Sequence, residues 1–180
     1  GINGGDAPEN LARLDHDVID ARPDLVIWQT GTNAILREAD ADDFDRSVQN
    51  GIDRMRQAGI EIVLMDPQYA PRVNQIADHL RTIEQLDAIG KRNRVPVFHR
   101  YAVMKYWAAA HSASQASLSS SPQSSPQSSP YANMISPDGL HMNDTSYGCV
   151  AERLADAIVD MGKPASAAPS MRAGVLDRKQ

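Results

Sequence analysis

Short apolar runs that alternate with amphipathic helical segments constrain the fold of this chain more than any other feature of its sequence. The apolar runs occupy residues 24–30, 60–65 and 95–98. Runs of this length are typical of strands that are covered on both faces. Between the runs, apolar residues recur at helical spacing, as in Phe44 and Val48. The alternation predicts a parallel sheet with helices on both faces, which is a three-layer α/β/α sandwich.

A carboxylate and an imidazole lie three residues apart late in the sequence, at Asp138 and His141. Side chains at this separation in a turn can reach the same small volume. Asn143 or Asp144 is well placed to cap the helical pattern that follows. Asp-x-x-His also occurs in ordinary turns, and Pro137 just before it is a turn residue. The motif therefore becomes a catalytic candidate only through its relation to other motifs.

A second motif, Gly31, Thr32 and Asn33, directly follows the first apolar run. In an open parallel sheet, ligands bind outside the carboxyl ends of the strands, which is where this turn would emerge. The side-chain amide of Asn33 is therefore a candidate hydrogen-bond donor to a reacting oxygen. Gly4 and Gly5 form a further glycine pair near the start of the sequence. Both glycine segments are also compatible with simple turns.

In this order, the motifs resemble the SGNH (GDSL-type) hydrolase family of esterases, lipases and related acyl hydrolases. That family has four blocks: Gly-Asp-Ser with the nucleophile, a Gly, Gly-x-Asn-Asp, and Asp-x-x-His. Gly5 matches the second block, residues 31–33 match the third, and residues 138–141 match the last. Ala34 is a departure, because it stands where the family usually has Asp. The resemblance covers roughly residues 1–160, apart from one insert.

The resemblance implies a fold, an activity and a role for each matched residue. It implies a flavodoxin-like parallel sheet and a serine ester hydrolase that acts on a small acyl ester, such as an acetylated glycan, a lysophospholipid or a short-chain ester. His141 would be the general base, and Asp138 would orient it. The backbone N–H of Gly5 and the side chain of Asn33 would hold the oxyanion. No cofactor and no metal ion are implied.

The first block of the family is not found, since Gly-Asp-Ser occurs nowhere in the 180 residues. In the family, the nucleophilic Ser follows the first strand. We therefore expect a hydrolase domain that lacks its first strands and its nucleophile, and that is inactive as this fragment. A non-catalytic carbohydrate- or lipid-binding relative and an O-acetyltransferase remain as alternatives. A secretory signal would precede Gly1, and a secreted or periplasmic location is compatible with the sequence.

The chain divides into one predicted domain, residues 1–162, and a loose tail, residues 163–180. Ser, Pro and Gln dominate residues 112–130, where the unit Ser-Ser-Pro-Gln repeats. Such a segment has little apolar area to bury, so it is predicted to be a disordered insert within the domain. We interpret it as a tolerated insertion rather than a binding segment.

Composition and charge exclude several classes of partner. The formal net charge is -5 and no basic patch with interleaved aromatic residues is found, so nucleic acid is not an expected partner. No apolar run reaches the length of a membrane span. Cys149 is the only cysteine, and no Cys/His cluster has the spacing of a zinc site. The expected partner is a small-molecule ester substrate, and the oligomeric state is left open.

Overall fold

The computed structural model of the protein describes residues 4–118 and 134–162. Strands and helices alternate in it as the apolar pattern predicts. The strands are β1 Leu25–Gln29, β2 Glu61–Met65 and β3 Val97–Phe98. The helices are α1 Ala7–Leu11, α2 Thr32–Leu36, α3 Ala41–Gln57, α4 Pro71–Asn74, α5 His79–Asn93, α6 Arg100–Leu118 and α7 Asp144–Met161, and a π-helical segment, Asp15–Ile19, follows α1.

The strands form a parallel sheet in the order β1-β2-β3. Leu25 lies opposite Glu61 at the start of the first pair, and Leu64 lies opposite Val97 in the second. Because the strands are parallel, their carboxyl ends all point to the same end of the sheet. Gly31 lies in the segment that follows β1, and Asp66 directly follows β2. The predicted α/β/α class is confirmed.

Side chains that alternate along β2 divide the interior into two cores. Ile62 and Leu64 pack in the first core with α1, α3 and α5, whereas Val63 and Met65 pack in the second core with α2, α4, α6 and α7. Other buried members of the first core are Ala7, Leu14, Trp28, Ala34, Phe44, Val48, Ile52, Met55, Ile60, Leu86, Ile89 and Val95. Other buried members of the second core are Ile35, Ala70, Val73, Phe98, Tyr101, Met104, Ile135, Leu140, Met142 and Val150. Helices therefore cover both faces of the sheet, which gives the three layers.

β1 lies at one edge of the sheet, and among the described strands it pairs only with β2. Trp28 is buried in the first core, but on the opposite face Ile27 is 42% exposed and Gln29 is exposed as well. The prediction that this run is covered on both faces is therefore wrong for β1. The reason is that α6 and α7 pack over the side chains of β2 and β3 in the second core, and leave the outer part of β1 uncovered.

The helix α6 extends further than the sequence predicts. It runs to Leu118, so residues 112–118 are helical, although they belong to the segment predicted to be a disordered insert. Ser, Ala and Gln tolerate continuation of a helix, and the first proline of the tract is Pro122. The rest of the predicted insert, residues 119–130, and the predicted tail, residues 163–180, lie outside the described residues.

Candidate active site

The Asp138–His141 motif sits in a tight loop that its own backbone closes. Ile135 and Met142 form an isolated antiparallel bridge at the base of the loop. Within it, the Ser136 N–H donates to the His141 carbonyl at 2.7 Å. Gly139 adopts a φ of 71°, a left-handed conformation that favours glycine. The loop therefore fixes the backbone on both sides of the two side chains.

The structure brings the side chains of Asp138 and His141 into direct hydrogen bonding. One carboxylate oxygen of Asp138 accepts from the backbone N–H groups of Leu140 and His141, each at 3.0 Å, and the other is bonded to His141 Nδ1. Since a carboxylate can only accept, Nδ1 carries the proton and Nε2 is left as the basic nitrogen. No described residue is hydrogen bonded to Nε2. The His141 side chain is 61% exposed, so this nitrogen is open to a reacting group.

The local hydrogen bonds lower the pKa of Asp138 to about 2, chiefly through the bond from His141 and then through the N–H groups of Leu140 and His141. We predict that a carbon-detected NMR titration will give Asp138 a midpoint well below the ordinary value of 3.8. In the variant His141→Ala the midpoint should rise but stay below 3.8, because both N–H donors remain. The same titration of His16→Ala should leave Asp138 unchanged, and an unshifted midpoint in the parent would contradict the hydrogen bond.

The lowered pKa of Asp138 also determines how the contribution of this residue to the stability of the fold depends on pH. A carboxyl group that is more acidic in the folded state than in the unfolded state stabilises the fold above its unfolded pKa. That contribution is lost as the pH falls through about 2. Because Asp138 and His141 are both solvent exposed, we expect only a small effect on global stability.

The structure also brings together the two predicted oxyanion donors, Gly5 and Asn33. Nδ2 of Asn33 donates to the carbonyl oxygen of Gly5 at 2.8 Å. The turn that precedes Asn33 depends on Gly31, whose φ is 94° and which caps α2 at its amino end. An amide nitrogen carries two protons, so the second N–H of Asn33 remains available for a ligand oxygen. The N–H of Gly5 likewise has no hydrogen-bond partner among the described residues.

Asp6 caps α1 at its amino end and also holds this pair of donors in place, a second role that sequence reasoning missed. Its carboxylate accepts from the hydroxyl of Thr30 at 3.3 Å and from the N–H of Gly31 at 3.4 Å. The side chain is buried, and burial raises the pKa of Asp6. These contacts tie the amino-terminal segment to the end of β1. No local pattern reveals them, since the partners lie 24 and 25 residues away.

The pair Asp138–His141 and the pair Gly5–Asn33 are joined indirectly, through Gln68 in the loop after β2. Its side-chain carbonyl accepts from the Thr32 hydroxyl at 2.9 Å, and its side-chain N–H donates to the Leu140 carbonyl at 3.2 Å. No hydrogen bond joins the two pairs directly within residues 4–118 and 134–162. Sequence reasoning missed Gln68, which stands in a Pro-Gln-Tyr segment without a recognisable motif.

Neither a membrane-spanning helix nor a metal site is found in the described residues. None of their helices combines the length and the apolar character that crossing a membrane requires. No group of three or more His, Cys, Asp or Glu side chains in that part of the chain is arranged to hold a metal ion.

The model of the non-GDSL lipase-like family matches residues 1–163. Among solved structures, the acetyl xylan esterase AlAXEase is similar at a TM-score of 0.70 and 18% identity, over 88% of this chain and 78% of that one. A lipase/acylhydrolase from Enterococcus faecalis has a TM-score of 0.65 and 18% identity, over 91% of this chain and 75% of its own. Axe2, an acetylxylan esterase from Geobacillus stearothermophilus, has a TM-score of 0.64 and 17% identity, over 91% of this chain and 71% of its own. At these identities the likeness shows the fold. No curated protein matches the chain.

Proposed function

The chain belongs to the non-GDSL lipase-like family, and on this premise we propose that it carries the acid–base and oxyanion groups of an acyl hydrolase. Membership supports a lipase- or esterase-like function in general. The observation that carries the finer proposal is the hydrogen bond between Asp138 and His141 Nδ1, which leaves Nε2 basic and exposed.

In the proposed reaction, His141 Nε2 takes the proton of a serine hydroxyl as its oxygen attacks the ester carbonyl. Asp138 stabilises the imidazolium that forms. The negative carbonyl oxygen of the tetrahedral intermediate accepts hydrogen bonds from the free N–H of Asn33 and from the N–H of Gly5. When the intermediate collapses, the ester C–O bond breaks and the imidazolium gives its proton to the leaving alcohol. A water molecule then repeats the sequence on the acyl-enzyme and releases the acid.

The nucleophile in this proposal is a serine that the 180-residue sequence does not include. The sequence has no Gly-Asp-Ser. The described serines nearest to the motif in sequence are held elsewhere: Ser136 Oγ donates to the Met142 carbonyl at 3.2 Å, and Ser146 Oγ bonds the Asn143 carbonyl at 3.0 Å. Neither hydroxyl is bonded to His141.

An acetylated glycan is the substrate class that we favour. Two of the three similar solved structures described above are named as acetyl xylan esterases. The exposure of His141 and Asp138 also suits a bulky substrate that presents a small acyl group to an open surface. Lysophospholipids and short-chain esters are the competing classes.

The test uses the protein translated from the whole reading frame that contains these residues, hereafter the reading-frame protein. It is assayed for release of acid from acetylated xylo-oligosaccharides, a lysophospholipid and p-nitrophenyl acetate, and it is labelled with a fluorophosphonate. We expect one labelled serine and the fastest release from the acetylated sugar. Transfer of acetyl to an added sugar in preference to water would indicate an O-acetyltransferase. The absence of both labelling and turnover would refute the hydrolase and favour a binding protein.

A further inference from the structure

The buried side chain of Gln68 contacts three separate segments of the fold. Its carbonyl oxygen accepts from Thr32 Oγ1 and from Arg100 Nη2, both at 2.9 Å, and its amide nitrogen donates to the Leu140 carbonyl at 3.2 Å. Thr32 precedes Asn33, and Leu140 precedes His141. One amide group therefore bonds to the neighbours of both the proposed oxyanion donor and the proposed base.

The partners of Gln68 fix the orientation of its amide. The guanidinium of Arg100 can only donate, so it requires the carbonyl oxygen of Gln68. The backbone carbonyl of Leu140 can only accept, so it requires the amide nitrogen. A flipped amide would lose both bonds, and only one arrangement satisfies the three partners.

Arg100 anchors this amide to the sheet. Its side chain is 1% exposed, and its Nε donates to the Asp66 carbonyl at 3.1 Å, at the end of β2. Burial lowers the pKa of Arg100 to about 10, so the guanidinium stays charged at neutral pH. A hydrogen bond from a charged donor is stronger than a neutral one. Gln68 is thus held rigidly at the carboxyl ends of β2 and β3.

We propose that Gln68 is a positioning residue that sets the place of the His141 loop relative to the Asn33 turn. This inference rests on the proposed function, because it concerns the distance between the proposed base and the proposed oxyanion donors. Small misplacements of reacting groups reduce catalysis strongly. A further hydrogen bond also holds the loop, since the Arg72 N–H donates to the Gly139 carbonyl at 3.1 Å.

The substitution Gln68→Glu separates the two halves of the network. A carboxylate keeps acceptors for Thr32 and Arg100, so the buried cation remains paired, but it has no donor for the Leu140 carbonyl. Gln85→Glu is the matched control, because Gln85 also donates to a backbone carbonyl, that of Ala41, between α5 and α3.

The first measurement is amide hydrogen exchange by NMR in the reading-frame protein at neutral pH. We expect Gln68→Glu to raise the exchange rate of the Arg72 N–H by about tenfold, as the Gly139 carbonyl moves away. The Leu64 N–H, which donates to the Pro96 carbonyl at 2.9 Å, should keep its rate and so show that the sheet is intact. Unchanged exchange at Arg72 would overturn the proposal.

The second measurement separates positioning from binding. In Gln68→Glu, kcat for p-nitrophenyl acetate should fall by about 10- to 100-fold with KM within about twofold, since only the alignment of the reacting groups changes. Gln85→Glu should leave both constants unchanged. Raised exchange at Arg72 with an unchanged kcat would also overturn the positioning role. If the parent shows no His141-dependent turnover, the proposed function fails, while the exchange measurement still decides whether Gln68 docks the loop.

Discussion

Replacing His141 with Ala in the reading-frame protein should lower kcat for p-nitrophenyl acetate by a factor on the order of 10⁶. In the proposed mechanism, no group other than this imidazole takes the proton of the nucleophile or returns it to the leaving alcohol. Asp138→Asn should lower kcat by about 10⁴-fold, because it favours the wrong tautomer of His141 without removing the ring. Initial-rate kinetics and single-turnover measurements on each variant test both values.

A matched control exists in the same chain. His16 is 91% exposed and is hydrogen bonded through Nδ1 to Asp17 at 2.9 Å, so it forms another surface His–Asp pair. His16→Ala should leave kcat unchanged. The 180-residue chain alone should hydrolyse the ester no faster than its own His141→Ala variant. Turnover by that chain that depends on His141 would mean that a serine within it serves as the nucleophile.

Replacing Gly51 with Ala should destabilise the fold by about 2 kcal/mol or more, although Ala is the better helix former. A Cβ at this position in α3 would lie 2.3 Å and 2.5 Å from ring atoms of the buried Trp28, and 3.3 Å from Leu11. Because the indole is buried in the first core, moving it away from the new methyl group would disturb the side chains packed around it. Urea unfolding followed by circular dichroism measures the change.

Gly148→Ala is the control for this substitution. Gly148 also lies within a helix, but a Cβ there would meet nothing within 4 Å. The helix propensity of Ala should then act alone and raise the free energy of unfolding by about 0.5–1 kcal/mol. If both variants shifted stability in the same direction, close packing of α3 on Trp28 would not be the cause.

The sequence predicts best what depends on neighbours along the chain. Asp138 and His141 are three residues apart, so their contact is within reach of the motif itself. Strand positions follow from apolar runs, and Asn143 caps α7 as one of the two candidates proposed for it. The resemblance to esterases and lipases is likewise confirmed, because the family model spans residues 1–163.

Contacts between segments that are distant in sequence cannot be predicted from such local patterns. Gln68 reaches Leu140 across 72 residues, and Arg100 reaches Gln68 across 32, with no periodicity to mark them. A buried arginine also contradicts the usual expectation that charged side chains lie at the surface. For β1, the apolar run predicts burial on both faces, but only the packing of α6 and α7 decides which face is covered.

The two halves of the proposed site depend on contacts of very different range. The Asp138–His141 pair is assembled inside one short loop, whereas Asn33 reaches Gly5 across 28 residues and depends on an amino-terminal segment that Asp6 holds in place. Fraying of that segment would remove the N–H of Gly5 and free the side chain of Asn33 from Gly5, but would leave the proposed base, His141, bonded to Asp138. A partly unfolded molecule would then keep the Asp138–His141 hydrogen bond but would no longer stabilise the charged intermediate, so catalysis would be lost before this hydrogen bond breaks.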